Sequence, residues 1–371
     1  QIQRASLSDM AEIHALRSNI PRDLTVEQSD GSQRSMSRCD FVVLNPDAAH
    51  IDPEARKQWK NLQRSDFLMI PVAFHVIYKT DSTGYILQSA LDAQIDVLNV
   101  AFGDLDIQFQ QYSVDYNAND DWFGIACGGF STEAECQEHS QHCVWNDDNE
   151  CEEYNTFEGT YKNDLAVNPE KTLNIYTGEL GGTLGYAWLP TDLGSIESYE
   201  DGVVLHYSVL QGIDDSDYPY NEGDTGVHEV GHYLGLHHTF NGGCGDDGGD
   251  EVADTPEQDN GDNIYVCEEA DTCPDDPGSD PIHNYMNYVE DSCMDDFTDG
   301  QKERMQDMLA EYRPNLGTVI ERHFIPAYLT HSDNPYNAMG INVTAATLDI
   351  GGGALDLVAG DEIGIFDGSV C

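Results

Sequence analysis

The chain has 371 residues, enough for two or three domains with a sizeable core. Sixteen Lys and Arg residues oppose 69 Asp and Glu residues, which gives a formal net charge of −53. So acidic a chain excludes a nucleic-acid partner bound through a basic surface, and it argues against binding to an anionic membrane. We attribute the acidity to solubility and salt adaptation and leave open an attraction for basic substrates and for Ca²⁺.

The ten cysteines indicate disulfides and an oxidising compartment, because none of them forms a Cys-x-x-Cys pair. No segment is apolar over the length of a membrane span. The chain starts at Gln1. We therefore expect that a secretory signal has been removed and that the protein is secreted.

Residues 1–64 differ in pattern from the rest of the chain and lie where a propeptide would be expected. A short helical pattern at 8–17 is followed by a polar, Ser-rich stretch at 28–37, which suggests a linker or an extended segment. Cys39, preceded by an arginine, is the single cysteine of this part. It could form a disulfide, for example with Cys371, or remain a thiol.

From residue 65 onwards the pattern is a mixture of strands with one helix. Residues 67–78 are rich in β-branched and aromatic side chains and predict a buried strand. Residues 86–102 carry apolar side chains at helical spacing and predict a helix that faces the core. Further strands are predicted at 107–112, 173–176 and 203–210. His206, in the last of these, is expected to be an ordinary core or edge histidine.

Residues 118–155 interrupt this pattern with an acidic, Cys-rich insert. Cys127, Cys136, Cys143 and Cys151 predict two disulfides, for which three connectivities remain open. Zinc binding here is a weaker alternative, because the spacing does not match that of zinc sites. The insert is expected to be a solvent-exposed surface segment without a functional role, although it could shape the rim of a cleft or bind a partner.

The stretch from His228 to His238 reads His-Glu-x-x-His-x-x-Gly-x-x-His. His228 and His232 are four residues apart, so on a helix both rings project from one face. Gly235 can adopt a left-handed conformation, which ends the helix and brings His238 back as a third ligand. Three protein ligands leave one position open on Zn²⁺, as in catalytic sites, and Glu229 is placed to take a proton from water there.

The chain from 239 to 281 is irregular and rich in Gly, Asp and Pro. A loop of this length is expected to be functional or cross-linked. Its acidic residues form a dense set of oxygen ligands suited to Ca²⁺, although the twelve-residue EF-hand pattern is absent. The alternative is an acidic, solvent-exposed loop. The set comprises Asp246, Asp247, Asp250, Asp254, Thr255, Glu257 and Asp259.

The last helix of this region is predicted at 301–312, opened by a capping box at Thr298. After about residue 323 the composition turns to β-branched and Gly-rich runs, which suggest a separate β-domain. The pattern stops at Cys371 before it is complete, so we expect this domain to be truncated here.

Several blocks of sequence together resemble the metzincin clan of zinc proteases, and within it the pappalysin family. They cover most of residues 65–322 and are far more specific than the zinc motif alone. The resemblance implies an α+β fold of two subdomains, with a mixed twisted sheet and the active-site helix above an irregular, disulfide-stapled lower part. The blocks are Gly185-Tyr186-Ala187 with Pro190, Asp201-Gly202-Val203-Val204, the zinc motif running into Thr239-Phe240, Asp254-Thr255-Pro256, the run from Asp280 to Met286, and Phe297-Thr298 with Gly300-Gln301.

The resemblance also implies roles for individual residues. Met286, in a stretch that resembles the metzincin Met-turn, would pack beneath the metal. Tyr288 would stabilise the developing oxyanion, unless it is only a packed aromatic. Gly185 and Tyr186 would lie near the edge strand that pairs with an antiparallel peptide. Asp291 would line a primed-side pocket and select Arg or Lys, unless it is one more acid of an acidic loop.

Cross-links and further metal ligands are likewise implied by the resemblance alone. Similarity to cysteine-switch zymogens implies that Cys39 fills the open zinc position and keeps the enzyme inactive. The implied disulfides are Cys244–Cys273 and Cys267–Cys293. The implied Ca²⁺ ligands are Asp250, a carbonyl near Ala253, Thr255 and Glu257.

The sequence therefore predicts a secreted zinc endopeptidase, made as a zymogen, that cuts peptide bonds next to Arg or Lys. The predicted domains are a propeptide at 1–64, a catalytic domain at 65–322 and the start of a β-domain at 323–371. The expected partners are protein or peptide substrates, and the chain is expected to be a monomer. The alternatives are a calcium-dependent binding or adhesion protein with a non-catalytic zinc site, an inactive zinc-binding relative, and a metalloenzyme acting on a non-peptide amide.

Overall fold

The computed structural model describes residues 24–27, 33–39, 66–124, 132–138, 143–145, 151–153, 157–210, 219–245, 249–321, 347–349 and 354–356. The predicted helix at 8–17 lies outside the described residues, as do Cys127, Asp246, Asp247 and Cys371. Within the described ranges, no helix is both long enough and apolar enough to cross a membrane.

Strands and helices alternate through the central part of the chain. The strands are β1 (Leu24–Glu27), β2 (Gln33–Met36), β3 (Asp66–Tyr78), β4 (Ile107–Ala118), β5 (Cys143–Trp145), β6 (Cys151–Glu153), β7 (Leu173–Gly178), β8 (Gly185–Ala187), β9 (Val203–His206), β10 (Thr318–Glu321), β11 (Thr347–Asp349) and β12 (Ala354–Asp356). The helices are α1 (Gln88–Ala101), α2 (Asp120–Phe123), α3 (Glu133–Glu138), α4 (Glu158–Leu165), α5 (Asp224–Tyr233) and α6 (Asp299–Tyr312).

A mixed six-stranded sheet is built around β3. This strand pairs in parallel with β4 on one side and with β7 on the other, and β10 pairs antiparallel with its first residues. Beyond β7 lies β9, in parallel, and β8 pairs antiparallel with β9 at the end of the order. Among the described strands the sheet therefore ends at β8, as expected of an edge strand at this position.

The largest core lies between one face of this sheet and the helices α1 and α5. Side chains of β3 alternate between faces, because successive residues of a strand point to opposite sides. The predicted strand at 67–78 and helix at 86–102 are both confirmed. The buried residues that β3 and α1 give to this core are Leu68, Ile70, Val72, Phe74, Val76, Ala90, Leu91, Ile95 and Leu98.

Helix α5 carries the zinc motif and is buried from Thr225 to Tyr233. It can lie close to α1 because Gly226 has no side chain: a Cβ there would be 2.4 Å from the amide nitrogen of Gln94. The helix gives way to a turn in which Gly235 has a φ of +104°, the left-handed conformation that the sequence predicts. This turn redirects the chain so that it returns beneath the helix.

Two arginines of the C-terminal region hold the end of α5. Arg304 Nε donates to the carbonyl of Gly235 at 2.7 Å, and Arg313 Nε donates to the carbonyl of Tyr233 at 3.0 Å. Arg313 also forms a buried ion pair with Asp201, with 2.8 Å between Nη2 and Oδ1. These cations satisfy carbonyls at the negative end of the helix dipole and so fix the end of the zinc-motif helix.

Replacing Arg313 should therefore be costly. We expect Arg313→Ala to lower the free energy of unfolding by about 3–5 kcal/mol, because the Asp201 carboxylate is left buried without its cation. Chemical denaturation of the full chain measures the change. The control is Lys302→Ala, whose ammonium lies 3.8 Å from the exposed Asp104 and which should cost less than about 1 kcal/mol. An equally small loss for Arg313→Ala would contradict the prediction.

Disulfides hold the parts of the chain that have little regular structure. The lower part, from 239 to 293, contains Cys244–Cys273 and Cys267–Cys293, the pairs that the resemblance implies. In the insert, Cys136 pairs with Cys151, and Cys143 is also disulfide-bonded. Of the three connectivities left open by the sequence, the two that pair Cys136 with Cys127 or with Cys143 are thereby excluded.

Two of the predicted strands have different ends in the structure. The strand predicted at 203–210 stops at His206, and a 3-10 helix follows because the His206 side chain accepts a hydrogen bond from the Ser208 amide. His206 is buried and lies 3.2 Å from Glu179, as expected of a core histidine. Strand β4 runs past the predicted end at 112, because it pairs with β3 as far as Tyr78, across a bulge.

Candidate active site

Three histidine rings meet at one point beneath the sheet. His228 and His232 come from α5 and His238 from the chain after the turn. Their Nε2 atoms are 3.1 Å apart for His228 and His232, 3.0 Å for His232 and His238, and 3.2 Å for His238 and His228. All three rings are buried. Three ring nitrogens at such distances suit a shared cation.

The outer nitrogens of two of these rings fix the tautomer. His228 Nδ1 lies 2.7 Å from the carbonyl of Tyr285, and His232 Nδ1 lies 2.7 Å from the carbonyl of Leu236. A carbonyl only accepts, so each Nδ1 carries the proton and each Nε2 keeps its lone pair for the cluster. Burial lowers the pKa of His232 to about 3 and, with the neighbouring histidines, holds the pKa values of His228 and His238 well below normal.

This donor set fits zinc. Three neutral imidazole nitrogens with room for a fourth ligand are the arrangement of catalytic zinc sites. Met286 is fully buried against α5, and Gly231 leaves the space for it, since a Cβ on Gly231 would be 2.4 Å from the Met286 sulfur. The methionine thus packs directly against the helix that carries His228 and His232.

Glu229 lies between the histidine cluster and the edge strand. Its side chain is fully buried and packs against Gly185 of β8, where a Cβ would come within 2.7 Å of Glu229 Cγ. Tyr186, the next residue, is also buried and packs in the cluster on the other face of the sheet. Gly185 therefore allows the edge strand to approach the carboxylate of Glu229 directly.

The segment Ser37–Cys39 lies in the cleft between this edge and the histidines. The Ser37 amide donates to the carbonyl of Gly182 at 2.6 Å, and the Leu184 amide donates to the carbonyl of Ser37 at 3.1 Å. Ser37 and Thr183 form a parallel bridge. An N-terminal residue thus takes up the outer hydrogen-bonding edge of the sheet beside β8.

Cys39 completes the histidine cluster. It is a thiol rather than half of a disulfide, which decides between the two states that the sequence left open. Its sulfur and one nitrogen of each of His228, His232 and His238 lie within 4.8 Å of one another. Across the described part of the chain, no other group of three or more His, Cys, Asp or Glu side chains converges in this way. The thiol also donates to Glu229 Oε2 at 3.4 Å.

Tyr288 closes the cluster on the other side. Its hydroxyl donates to the carbonyl of Cys39 at 3.0 Å, so it already binds a peptide carbonyl inside the cleft. Its ring centroid lies 4.7 Å from that of His238, edge to face, and 5.7 Å from that of His228. The hydroxyl and the three imidazoles therefore face the same small volume.

Next to Cys39, the side chain of Arg38 fills a pocket that ends at Asp291. Arg38 is fully buried, and its Nη2 lies 2.7 Å from Asp291 Oδ1. The other carboxylate oxygen, Oδ2, accepts from the amides of Glu222 and Asp224 at 3.0 and 3.3 Å. The guanidinium carbon lies 4.3 Å from the ring centroid of Tyr220. The pocket thus holds a cation by a fixed carboxylate and an aromatic face.

Arg38 and Tyr220 are the pocket residues that the sequence did not single out. For Arg38 a signal existed, because a basic residue precedes the cysteine expected at the zinc and Asp291 was expected to bind Arg or Lys. For Tyr220 the sequence offers no such signal, since nothing around it marks one tyrosine among the nineteen in the chain.

The side chains implied to bind Ca²⁺ belong to the irregular lower part of the chain. Asp250 and Thr255 are both buried, and within the described residues neither Asp250 Oδ2 nor Thr255 Oγ1 has a hydrogen-bond partner. Burial raises the pKa of Asp250 to about 7. Buried oxygens without donors are what a bound cation would satisfy.

The other members of the acidic set are placed differently. Glu257 Oε2 accepts from the amide of Gly245 at 2.7 Å, and Ala253 is exposed. Asp254 accepts from the Thr298 hydroxyl at 2.8 Å and from the Gly300 amide at 2.9 Å, so it caps helix α6. Among the described members of the set, Asp254 therefore serves as a helix cap, whereas Asp250 and Thr255 are buried.

A mixed sheet above a helix that brings three histidines together over a buried methionine defines a metzincin-type zinc metallopeptidase. The chain belongs to peptidase family M43, the pappalysins: the family described as pregnancy-associated plasma protein-A matches residues 157–310. The resemblance inferred from the sequence blocks is thus confirmed, and so is the α+β, two-subdomain fold class.

Known relatives agree with this assignment. The chain is 37% identical over 251 residues to an extracellular metalloprotease of Sordaria macrospora, which covers 66% of this chain and 76% of that protein. It is 38% identical over 259 residues to one of Colletotrichum graminicola, covering 68% and 81%. The structure of a promirolysin mutant from Tannerella forsythia shares the fold, with a TM-score of 0.52, 24% identity and coverage of 75% and 96%. The protein is an extracellular, zinc-type metalloendopeptidase that acts on peptides or proteins.

Proposed function

We propose that this chain is the latent form of a zinc endopeptidase that cuts before Arg or Lys, with residues 1–64 as its propeptide. The observation that carries the proposal is that three consecutive residues occupy three parts of one cleft. Ser37 takes the edge of the sheet, Arg38 takes the acidic pocket and Cys39 takes the open side of the histidine cluster. A bound substrate would have to occupy the same three parts of the cleft.

His228, His232 and His238 would hold the zinc ion through their Nε2 atoms. Support comes from the hydrogen bonds that direct the protons of His228 and His232 away from the cluster. When bound, zinc supplies Lewis acidity that makes water a nucleophile at neutral pH and polarises a peptide carbonyl. Cys39 would be the fourth ligand of the latent form, because its sulfur faces the same point.

Glu229 would move the proton, and Tyr288 would bind the oxygen that gains charge. Glu229 Oε2 accepts a hydrogen bond from the Cys39 thiol, so it is already placed to take a proton from a group at the cluster. It would then return that proton to the leaving amine. The Tyr288 hydroxyl donates to a backbone carbonyl in the cleft, and the same donor would stabilise the oxyanion of a substrate.

The substrate backbone would bind along the edge that Ser37 now occupies. The carbonyl of Gly182 and the amide of Leu184 pair with Ser37, so both groups are available for a peptide once the segment has left. An added strand gains main-chain hydrogen bonds that do not depend on its sequence. Gly185 would let this strand lie next to Glu229, and Tyr186 would anchor the edge from the opposite face.

Selectivity for Arg or Lys would come from Asp291. Its carboxylate is fully buried, held by the amides of Glu222 and Asp224, and directed at the Arg38 guanidinium. A buried carboxylate without a cation is unfavourable, so a neutral side chain in this pocket would leave it unpaired. The pocket should therefore favour a basic residue after the scissile bond.

Cleavage of a mixed peptide library tests the proposal. The full chain and the chain trimmed of residues 1–64 are compared at measured zinc content, and Glu229→Ala is the inactive control. We expect cuts before Arg and Lys from the trimmed chain and almost none from the full chain. Equal cleavage by both forms would remove the latency proposal, and cuts without a basic preference would remove the role of Asp291.

The remaining parts of the proposal concern organisation. Residues 65–322 would form the catalytic domain, with the insert at 118–155 as decoration, and residues 323–371 would begin a β-domain, supported by the antiparallel pair of β11 and β12. We propose further that the enzyme acts as a monomer. Sedimentation equilibrium measures the mass in solution.

We further propose that Ca²⁺ binds at Asp250, Thr255, Glu257 and the carbonyl near Ala253. Removing it with EGTA, at unchanged zinc content, should lower the free energy of unfolding by about 3 kcal/mol if the ion was present at a hundred times its Kd. Differential scanning calorimetry measures the shift. Asp250→Asn should abolish the response, whereas Asp271→Asn, at an exposed position of the same loop, should keep it. A response that survives Asp250→Asn would refute the site.

A further inference from the structure

The acidic pocket contains a second recognition element, the ring of Tyr220, which lies against the bound guanidinium. Tyr220 is 3% exposed and belongs to the main core, so its position is fixed by packing. The Asp291 amide also donates to the carbonyl of Pro219 at 2.9 Å, which ties the backbone beside Tyr220 to the pocket carboxylate. Ring and carboxylate therefore form one rigid unit.

The carboxylate alone has little means to distinguish Arg from Lys. Asp291 Oδ2 is taken by two main-chain amides, so only Oδ1 is directed at the cation. A two-bond fork between guanidinium and carboxylate, the usual basis for preferring Arg, is not formed. Among the described residues, Arg38 Nε and Nη1 have no hydrogen-bond partner. A single bond to Oδ1 could equally be made by an ammonium group.

The ring of Tyr220 distinguishes a guanidinium group from an ammonium group, which the carboxylate does not do. The guanidinium carbon lies 4.3 Å from the ring centroid, within the range of a cation–π contact. A planar, weakly hydrated guanidinium stacks on an aromatic face better than a compact, strongly hydrated ammonium does. Met294, whose sulfur lies 3.7 Å from Nη2, adds a polarisable atom to this wall of the pocket.

We propose that Tyr220 is a specificity-determining residue that makes the enzyme prefer Arg over Lys after the scissile bond. This inference rests on the proposed function of the pocket, with Arg38 as the stand-in for a substrate arginine. Asp291 selects positive charge, and Tyr220 selects the guanidinium among positive groups. The substrate class is therefore proteins or peptides with arginine at the cleavage site.

The test compares kcat/KM of the trimmed enzyme for three peptides that differ only in the residue after the scissile bond: Arg, Lys or norleucine. We expect Tyr220→Leu to lower the Arg-to-Lys ratio about tenfold, the loss of one partly desolvated cation–π contact. Tyr220→Phe keeps the aromatic face and should restore most of the ratio. Tyr112→Leu, at an exposed tyrosine of β4, is the matched control and should leave the ratio as it is.

Binding measured without turnover separates recognition from a general structural effect. In the Glu229→Ala background, Tyr220→Leu should weaken the dissociation constant of the Arg peptide about tenfold more than that of the Lys peptide. If the leucine variant does not fold, fluorinated phenylalanines at this position weaken the negative face of the ring with little change of size. The Arg-to-Lys ratio should then fall with each added fluorine.

The outcomes separate this inference from the proposed function. If the unaltered enzyme cuts the norleucine peptide as well as the Arg peptide, the acidic pocket is not a basic-residue site, and both proposals fail. If basic residues are preferred but the Arg-to-Lys ratio survives Tyr220→Leu, or both basic peptides lose equally, the role of Tyr220 alone is wrong.

Discussion

Replacing Glu229 by Gln should lower kcat of the trimmed enzyme by about a hundred- to ten-thousandfold, the usual contribution of a positioned general base. Glutamine keeps the volume and the packing against Gly185, but its neutral amide is too weak a base to take the proton. The zinc content should be unchanged, because the three Nε2 donors come from other residues. Initial rates on a fluorogenic Arg peptide, with zinc measured in the same samples, give the result.

Two comparisons make the Glu229 test specific. Glu303→Gln, on the exposed side of helix α6, removes one carboxylate of an acidic chain away from the cleft and should leave kcat as it is. A Glu229→Gln enzyme that retains more than about a tenth of kcat would show that another group takes the proton, because general-base losses are at least about a hundredfold. Loss of zinc together with activity would instead point to a structural defect.

Replacing Arg38 by Ala should make the untrimmed chain active. Arg38 is the only described cation in the Asp291 pocket, and removing one partner of a buried ion pair costs about 3–5 kcal/mol, which corresponds to binding in the cleft that is weaker by roughly a hundredfold to several thousandfold. We therefore expect the peptidase activity of the full chain to rise by about two orders of magnitude. Gels must show that residues 1–64 are still attached during the assay.

The controls for latency lie in the same segment. Thr25→Ala, in strand β1, leaves residues 37–39 unchanged and should leave the chain latent. Cys39→Ala removes the sulfur from the histidine cluster and should also raise activity, whereas Arg38→Lys, which keeps the charge, should retain most of the latency. Full latency in both Arg38→Ala and Cys39→Ala would mean that the cleft is blocked by other residues.

Local patterns account for the parts of the site that the sequence predicted. The spacing of His228 and His232 matches the helical repeat, and the glycine at 235 permits the positive φ that returns His238 to the cluster. The capping box at Thr298 is likewise local, and both of its hydrogen bonds are present. These features depend on residues only a few positions apart, which a sequence displays directly.

Long-range contacts account for what the sequence did not reveal. Arg38 meets Asp291 across 253 positions, and Tyr220 joins them because the chain before α5 happens to pack there. The basic residue before Cys39 was a signal for Arg38, but no repeat or spacing links Tyr220 to either residue, so only the folded chain brings all three together. Asp254 shows the reverse case: it looks like one of several calcium ligands, but the amide of Gly300 at the start of α6, which has no partner within the helix, offers it a hydrogen bond.

The position of Ser37–Cys39 in the cleft affects how activation would proceed. A cut between residues 40 and 65 would break the covalent tether but none of the contacts of this segment. Before the cut, a tether of this kind holds a segment at an effective concentration of roughly millimolar, and afterwards only the bulk concentration remains. The cleaved segment would then act as a dissociable peptide inhibitor. The enzyme would therefore remain inhibited in a concentrated secretion and become active on dilution.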